Sequence, residues 1–296
     1  MERMIYKFQK NRITMKTKLI NFHLFTAFTF SVFMSCDGIN EPPFTVSKNP
    51  SVSPDGKTIA FSCYPGNGDK TQPGIYIMSI DGNNKKLVYP LKYGTLRNSI
   101  SWNPSGRKIL FEEGIITLQN NEFKEIIRNK ISDLNKNAMN FTWAPDGKSL
   151  LYNIEDSVYV CDTLFLHSRK LSLRAYQVKW MPDGKTLTYI KNNEICIVDT
   201  LNYQEIQITN DGNKKGGLVS SPDGIIFSYI NYNGGNEIWL VNADGNNPRL
   251  LIQECTGGYS WVPDSKAIVY SKEDDWDTFL WKIDIDGRND IQISKE

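Results

Sequence analysis

The sequence predicts an all-β chain, a six-bladed β-propeller with four antiparallel strands per blade, and three observations carry that expectation. A Pro-Asp-Gly turn recurs six times, apolar residues stand at fixed offsets from every copy, and no segment of helical periodicity follows residue 36. The chain has 296 residues, 40% of them hydrophobic and 23% charged, enough for one large all-β domain and too apolar for a disordered one. Its formal charge of +1 excludes the dense basic surface of a general nucleic-acid binder.

The first copy of the turn is Pro54-Asp55-Gly56-Lys57. It returns as Pro104-Ser105-Gly106-Arg107, Pro145-Asp146-Gly147-Lys148, Pro182-Asp183-Gly184-Lys185, Pro222-Asp223-Gly224 and Pro263-Asp264-Ser265-Lys266, at spacings of 50, 41, 37, 40 and 41 residues. Two residues before each Pro stand Val52, Trp102, Trp143, Trp180, Ser220 and Trp261. Five and seven residues after it come the pairs Ile59 and Phe61, Ile109 and Phe111, Leu150 and Tyr152, Leu187 and Tyr189, Phe227 and Tyr229, and Ile268 and Tyr270. A spacing of two puts both members of a pair on one face of a strand.

Each unit then reads as four strands in order. The first runs into the Pro-Asp-Gly turn, where Pro presets φ and Gly supplies the positive φ of a tight reversal. The second is the stretch such as Thr58 to Ser62. The third is apolar and aromatic: Ile75 to Ile80, Val158 to Cys161, Ile195 to Val198, Ile238 to Val241 and Leu280 to Ile285. Asp81-Gly82, Asp244-Gly245 and Asp286-Gly287 turn it into a fourth, such as Arg249 to Ile252 or Asp290 to Ser294. One such sheet cannot bury both of its faces, whereas six around an axis bury every face. The copies are in phase from first strand to fourth, so no swapped strand latches the ring, and Pro43 to Val46 is the segment available to do so.

The N-terminal segment has the form of an export signal. Met15-Lys16-Thr17-Lys18 is basic, and Leu19 to Met34 is a mostly apolar, uncharged run too short to span a bilayer. Phe33-Met34-Ser35-Cys36 resembles the lipobox of bacterial lipoproteins, which implies a diacylated Cys36 as the new N-terminus. The expected division is a signal peptide over 1–35, a lipid-anchored linker over 36–47 stiffened by Pro42-Pro43, and the propeller over 48–296. Removing 1–35 takes away six basic residues and one acid and leaves 28 basic against 32 acidic, a net charge of −4. Two acyl chains suffice for stable anchoring.

The run from Trp180 to Tyr189, read as Trp-x-Pro-Asp-Gly-Lys-x-Leu-x-Tyr, resembles the TolB-type propeller repeat, a relative of WD-type repeats, and the resemblance covers about 250 residues. It implies an envelope protein that binds other proteins, or a propeller accompanying an enzyme domain for which this chain leaves no room. The expectation is a lipoprotein of the periplasmic or cell-surface side acting as a non-catalytic scaffold or recognition module. Its partner would be an envelope protein, with no nucleic acid and no cofactor. A small-ligand or glycan binder is the first alternative, with Tyr232, Trp276 and Tyr259 as exposed stacking platforms, and a propeller-face lyase or hydrolase the second.

The candidate site lies on the first strands. The residues four and two before the Pro are mostly apolar and read as packing between blades. The other parity is small or polar: Asn49, Ser99, Asn140, Gln177, Gly217 and Gly258 five before it, and Ser51, Ser101, Thr142, Lys179, Val219 and Ser260 three before it. This set is expected to line a wet central channel. Lys179 is its one charged member, and a lone buried ammonium needs water, an acid or a ligand anion. Lys179, Gln177, Asn140 and Thr142 are therefore the candidates to contact a bound group at the channel mouth.

Glu273, Asp274, Asp275 and Asp277 read as a solvated acidic loop, with Asp274, Asp275 and Asp277 the weak candidates for a hard cation. The four cysteines beyond Cys36 read as buried thiols. The alternative is a Cys63–Cys255 bridge where the ring closes, and parity argues against Cys161–Cys196. His167 reads as a surface residue without a partner. With no other histidine after residue 35, the chain lacks the ligands of a His-bound metal such as that of the propeller-fold oligogalacturonide lyases. No Gly-x-Ser-x-Gly elbow or His-Glu-x-x-His helix is present.

Overall fold

A computed structural model of the chain describes residues 45–66, 72–91, 100–129, 137–274 and 277–294. All of them belong to one compact unit, Glu41–Glu296. Residues 1–35, read from the sequence as an export signal, together with Cys36, most of the expected linker, Ser99, Asp275 and Trp276, lie outside the described residues.

The described residues form strands and turns without a helix. The first repeat holds β1 (Val46–Val52), β2 (Thr58–Tyr64), β3 (Gly74–Ser79) and β4 (Lys86–Pro90). The second holds β5 (Ser101–Trp102), β6 (Lys108–Phe111), β7 (Gly114–Gln119) and β8 (Glu122–Arg128). The third holds β9 (Ala138–Trp143), β10 (Ser149–Ile154), β11 (Ser157–Asp162) and β12 (Ser168–Arg174). The fourth holds β13 (Tyr176–Trp180), β14 (Thr186–Lys191), β15 (Glu194–Asp199) and β16 (Glu205–Gln207). The fifth holds β17 (Lys215–Ser220), β18 (Ile226–Asn231), β19 (Glu237–Asn242) and β20 (Arg249–Ile252). The sixth holds β21 (Tyr259–Trp261), β22 (Ala267–Asp274), β23 (Asp277–Asp284) and β24 (Ile291–Gln292). Within each repeat the strands pair antiparallel in chain order, the arrangement of a β-propeller.

The sheets do not number six separate blades as the sequence predicts. The second to fifth repeats form four separate four-stranded sheets, while the first and sixth are merged into one eight-stranded sheet. The merger has a local cause. Val46 at the start of β1 pairs in parallel with Thr278 of β23, Thr278 N donates to Thr45 O (2.8 Å), and Thr45 N donates to Asp277 Oδ1 (2.6 Å). The residues just before β1 thus supply the latch, at the C-terminal end of the segment the sequence left available for it.

The repeated side chains form the core. The twelve residues five and seven after the Pro are all at most 3% exposed, from Ile59 and Phe61 to Ile268 and Tyr270. The second strands are buried on both faces, since Ala60, Leu110, Leu151, Thr188, Ser228 and Val269 between those pairs are buried too. Three of the four later copies, which carry Tyr where the first two carry Phe, give the phenol a partner at or beside the fourth strand, and in the fifth Lys215 Nζ lies over the Tyr229 ring at 5.7 Å. Tyr152 OH lies 2.6 Å from Ser168 Oγ, Tyr189 OH donates to Glu205, and Tyr270 OH donates to Asp290 Oδ1 (2.9 Å).

The turns explain their own exceptions. The turn Asp accepts from the backbone two residues on, as Asp55 does from Lys57 N (3.1 Å) and Asp183 from Lys185 N (2.8 Å). In the second copy Ser105 replaces that Asp, and Asn103 takes over, its Oδ1 accepting from Arg107 N and Lys108 N (2.9 and 2.8 Å). In the sixth copy Ser265 stands where Gly is usual, at φ 60°, and its hydroxyl accepts from Asp223 N of the preceding turn (3.1 Å).

Neighbouring repeats are knitted along their first strands, which lie side by side. Trp102 Nε1 donates to Ser51 O (3.0 Å) and Trp143 Nε1 to Ser101 O (3.2 Å). Trp102 N donates to Ser51 Oγ (3.3 Å), and Val52 N makes the equivalent bond to Ser260 Oγ (3.1 Å), so the sixth repeat stands to the first as the first stands to the second. Around the turns, Gly106 faces Pro54, Gly147 faces Pro104 and Gly224 faces Pro182, and Gly56 faces Pro263 in the same way.

Gly82 and Gly287 separate close approach from backbone strain, since both turn at φ 84°. A Cβ on Gly82 would collide with the carbonyl of Ile293 across the first–sixth seam, whereas one on Gly287 would meet open space. Gly287→Ala is expected to cost about 1 kcal/mol, the strain of a left-handed alanine alone. Gly82→Ala is expected to cost at least about twice that, and urea unfolding of the two variants checks the difference.

Candidate functional site

The polar parity of the first strands has two origins, and only one of them concerns a ligand. Asn49, Asn140, Gln177, Gly217 and Gly258, each five residues before its Pro, all lie in the left-handed region, at φ 55°, 57°, 53°, 60° and 90°. Where β1, β9, β13 and β17 pair with their second strands, the register slips at this point. The residues are bulge formers, and Asn and Gly recur there because they tolerate positive φ. Positive φ thus accounts for the residue types in this half of the set without any contact with a ligand. Gln177 shows it most directly: its Oε1 accepts from the backbone N of Gly217 in the next repeat (2.8 Å), a bond between blades.

The position three before the Pro divides differently. Ser51 and Ser260 accept the inter-repeat backbone bonds described above, and Ser101 Oγ donates to Trp102 O (3.4 Å). Thr142 and Lys179 do neither. Among the described residues the Thr142 hydroxyl, the Asn140 amide and the Lys179 ammonium have no hydrogen-bond or ion-pair partner. Trp180 Nε1 is buried and equally without one, although its counterparts in the second and third repeats donate to the preceding first strand. β9 and β13 lie side by side, and Trp180 packs into the cluster between the third and fourth repeats, which puts Lys179, the residue before it, on the opposite side of β13. Loss of hydration pushes the Lys179 ammonium down to about 8, and no neighbouring acid opposes the shift.

The remaining candidates find structural roles. Asp274 and Asp277 are cross-strand neighbours at the tip of the β22–β23 hairpin, and an Asp277 oxygen is engaged by Thr45 N. No group of three or more His, Cys, Asp or Glu able to hold a metal forms among the described residues. His167 does have a partner: Nδ1 lies 2.7 Å from Asp162 Oδ2 across its hairpin, although the ring is exposed. Tyr232 is exposed, whereas Tyr259 is not a platform, because it is partly buried and its OH donates to Gly217 O (2.7 Å). Cys63, Cys161, Cys196 and Cys255 all stand as buried thiols. The Ser47 hydroxyl sits 3.7 Å from Cys63 Sγ, while Lys48, the next residue of β1, lies over Gly257 and feels Cys255. Successive side chains of a strand point to opposite sides, so β1 stands between the two thiols.

One polar cluster escaped the sequence reading. Lys215, fully buried at its side chain, pairs with Glu194 Oε2 (3.3 Å) and with Asp211, and donates to the carbonyls of Asn193 and Asn213 (both 3.1 Å). Glu194 also accepts from Thr209 Oγ1 and Gly212 N (both 2.6 Å). Burial alone would raise the Glu194 carboxyl, yet these donors and the Lys215 charge outweigh it and hold the group below its ordinary range. With every charge paired, the cluster fastens the link between the fourth and fifth repeats. Its signal was local: Asp211 and Lys215 four apart in a polar connector, which resembles a solvated loop until the partner Glu194 is placed beside it.

The repeated four-stranded sheets and the bonds between their first strands define a β-propeller. The model of the TolB beta propeller domain matches residues 23–258, and the chain belongs to that family. No curated protein matches the chain in sequence. Among solved structures it is similar to TolB from Acinetobacter baumannii, at 17% identity and a TM-score of 0.46 over 85% of this chain and 54% of that one. It is also similar to putative TolB from Agrobacterium tumefaciens, at 18% identity and 0.42 over 84% and 80%. A third likeness is to an oligogalacturonate lyase in complex with manganese, at 12% identity and 0.53 over 86% and 79%. The chain spans about half the length of the Acinetobacter protein, and at these identities the lyase likeness is one of fold alone.

The two inner lysines are expected to respond to replacement with opposite signs. Lys179→Met removes an uncompensated ammonium and should stabilise the protein by about 1–3 kcal/mol at pH 7. Because the folded-state pKa is depressed, that gain is full below about 8 and fades as the pH rises towards the unfolded value. Lys215→Met strips two carboxylates of their cation and should cost about 3–5 kcal/mol. Urea unfolding of both variants across pH 7 to 10 gives the comparison.

Proposed function

We propose that the chain is a six-bladed, lipid-anchored propeller of the cell envelope, a non-catalytic scaffold that binds another envelope protein. The observation that carries the scaffold reading is the latched ring: first and last repeats joined through Thr45, Val46 and Thr278, in a chain of the TolB propeller family. A ring fastened at its ends is a rigid platform whose inter-strand loops present a fixed surface, and binding to preorganised surfaces avoids the ordering cost of flexible ones. Six blades are supported by the equivalent seams. The bond from Val52 N to Ser260 Oγ and the contact of Gly56 with Pro263 repeat the relation of neighbouring units, and the merged sheet needs only one strand pair to arise.

Export and anchoring rest on the basic start, the apolar run and the Ser35-Cys36 junction. A second reading, a propeller that takes a small ligand in its channel, is favoured by the Lys179 ammonium, which has no partner among the described residues.

Cys36→Ser in the full chain tests anchoring and partner together. The parent protein is expected in the membrane pellet and, after cross-linking of envelope fractions, in a complex with a distinct partner. The variant is expected in the soluble fraction, with partner capture reduced. Identical fractionation of the two would remove the lipid anchor from the proposal, and absence of any cross-linked protein would remove the scaffold.

A further inference from the structure

Because the strands of each sheet pair antiparallel in chain order, the Pro-Asp-Gly turns and the turns between third and fourth strands lie at one end of the ring, and β1 begins at the other. In the first, fifth and sixth repeats the outer turn is an Asp-Gly pair followed by Asn or Arg, and in the second it is Asn120-Asn121. The third and fourth repeats instead present Leu164 and Leu166, and Leu201 and Tyr203, all exposed, with Leu201 at 83%. The inner turn changes in the same direction in the fifth repeat. Ile225, 61% exposed, stands in the place that Lys57, Arg107, Lys148, Lys185 and Lys266 hold elsewhere. These side chains are held out by fixed turns. Asp199 Oδ1 accepts from Leu201 N and Asn202 N (2.7 and 3.1 Å), and Asp162 accepts from the backbone N of Leu164, Leu166 and His167 (2.9, 3.1 and 3.0 Å). Thr200 N and Oγ1 both donate to Lys185 O (2.9 and 2.7 Å), which lays the outer turn of the fourth repeat against its inner turn. Gly224 faces Met181 and Pro182, so Ile225 adjoins that same inner turn. Leu201, the exposed Pro182 and Ile225 thus follow one another across the end of the fourth and fifth repeats.

Large apolar side chains held in water on rigid turns do nothing for the core, and grouped exposure of this kind marks contact surfaces. We propose that the turn end of the third to fifth repeats is the docking surface for another envelope protein, which covers it with an apolar segment. The tether selects this occupant. Eight residues, 37–44, separate Cys36 from Thr45, a reach of at most about 29 Å. Thr45 lies at the opposite end, and β1 alone, seven residues long, spans roughly 23 Å of the height of the ring. Turning the apolar end to the bilayer would spend nearly all of that reach along the flank of the ring, so the anchored ring points it away. The charges agree: Lys148, Arg169 and Lys185 are matched by Asp146, Asp183 and Asp199, which leaves no cationic excess for anionic headgroups. Two rings tethered to one bilayer point these ends the same way, so a second copy does not meet the surface face to face. A protein reaching the ring from its far side does, and the fixed turns spare it the cost of ordering them. The inference rests on the reading of the chain as an anchored scaffold, and it names the surface and the chemistry that hold the partner.

The photo-cross-linking residue p-benzoylphenylalanine tests this in the full chain, placed one position at a time for Leu201 or Ile225, and for Asn83 or Arg288 in the outer turns of the first and sixth repeats. After irradiation of envelope fractions, positions 201 and 225 are expected to join one and the same protein, through a peptide that mass spectrometry shows to be rich in apolar residues. Positions 83 and 288 are expected to join it much less. With that protein purified, Leu201→Ser and Ile225→Ser are each expected to weaken binding about tenfold, the size of a hot-spot truncation, while Asn83→Ser leaves it unchanged. Both side chains are exposed, so an unchanged urea midpoint shows that the loss is one of contact. Adducts to phospholipid, adducts to a second copy, equal labelling at all four positions, a highly charged contact peptide, or undiminished binding by both serine variants overturns the proposal. Protein adducts at 83 and 288 without any at 201 and 225 overturn it while leaving the scaffold standing, whereas the absence of a protein adduct at every position removes the scaffold as well.

Discussion

A four-stranded sheet with apolar residues on both faces has no stable existence alone, and the organisation of this chain follows from that constraint. The second strands show it most clearly, with Ile59, Ala60 and Phe61, or Ile268, Val269 and Tyr270, buried in succession on alternating faces. Each face needs a neighbour, each neighbour brings another uncovered face, and only a ring brings the series to an end. The latch at Thr45 and Val46 is therefore the point on which the other contacts depend. It covers the first sheet with the last, and it uses main-chain bonds that are indifferent to side-chain identity. Merging two repeats into one sheet is a consequence of closure by backbone pairing.

The same constraint accounts for what was legible in the sequence. Residues that bury side chains at fixed distances from a turn leave a periodic trace, so the strands, their order and the turns could be read directly. Ser105 and Ser265 looked like departures from the pattern because their compensations come from elsewhere: Asn103 from its own repeat and Asp223 from the neighbouring one. Closure left no trace of this kind. A parallel pairing between residue 46 and residue 278 depends on two backbone segments 232 positions apart, and backbone bonds carry no residue signature.

The candidate site was legible in part, for an instructive reason. Asn49, Asn140, Gln177, Gly217 and Gly258 share a conformation, and a preference for positive φ selects much the same small or polar residues as contact with water does. Composition alone does not separate the two causes. Three residues before the Pro the backbone is ordinary, so side-chain chemistry is informative there. Ser51, Ser101 and Ser260 belong to the hydrogen bonding of the first strands, while Thr142 and Lys179 do not. The sequence placed Lys179 correctly as an outlier among its equivalents, but it had no means of showing that Trp180, a core residue by every repeat criterion, has a buried N–H left over.

Lys215 and Lys179 set the two uses of an interior ammonium side by side. Lys215 meets two carboxylates and two carbonyls, and its burial is compensated contact by contact, which makes it a fastening between the fourth and fifth repeats. Lys179 lies on the first strand of the fourth repeat, at a position that three of the other five copies fill with serine, and no described group answers its charge. An ammonium whose burial lowers its pKa to about 8 with no acid beside it is a cost to folding, whereas the paired Lys215 is not.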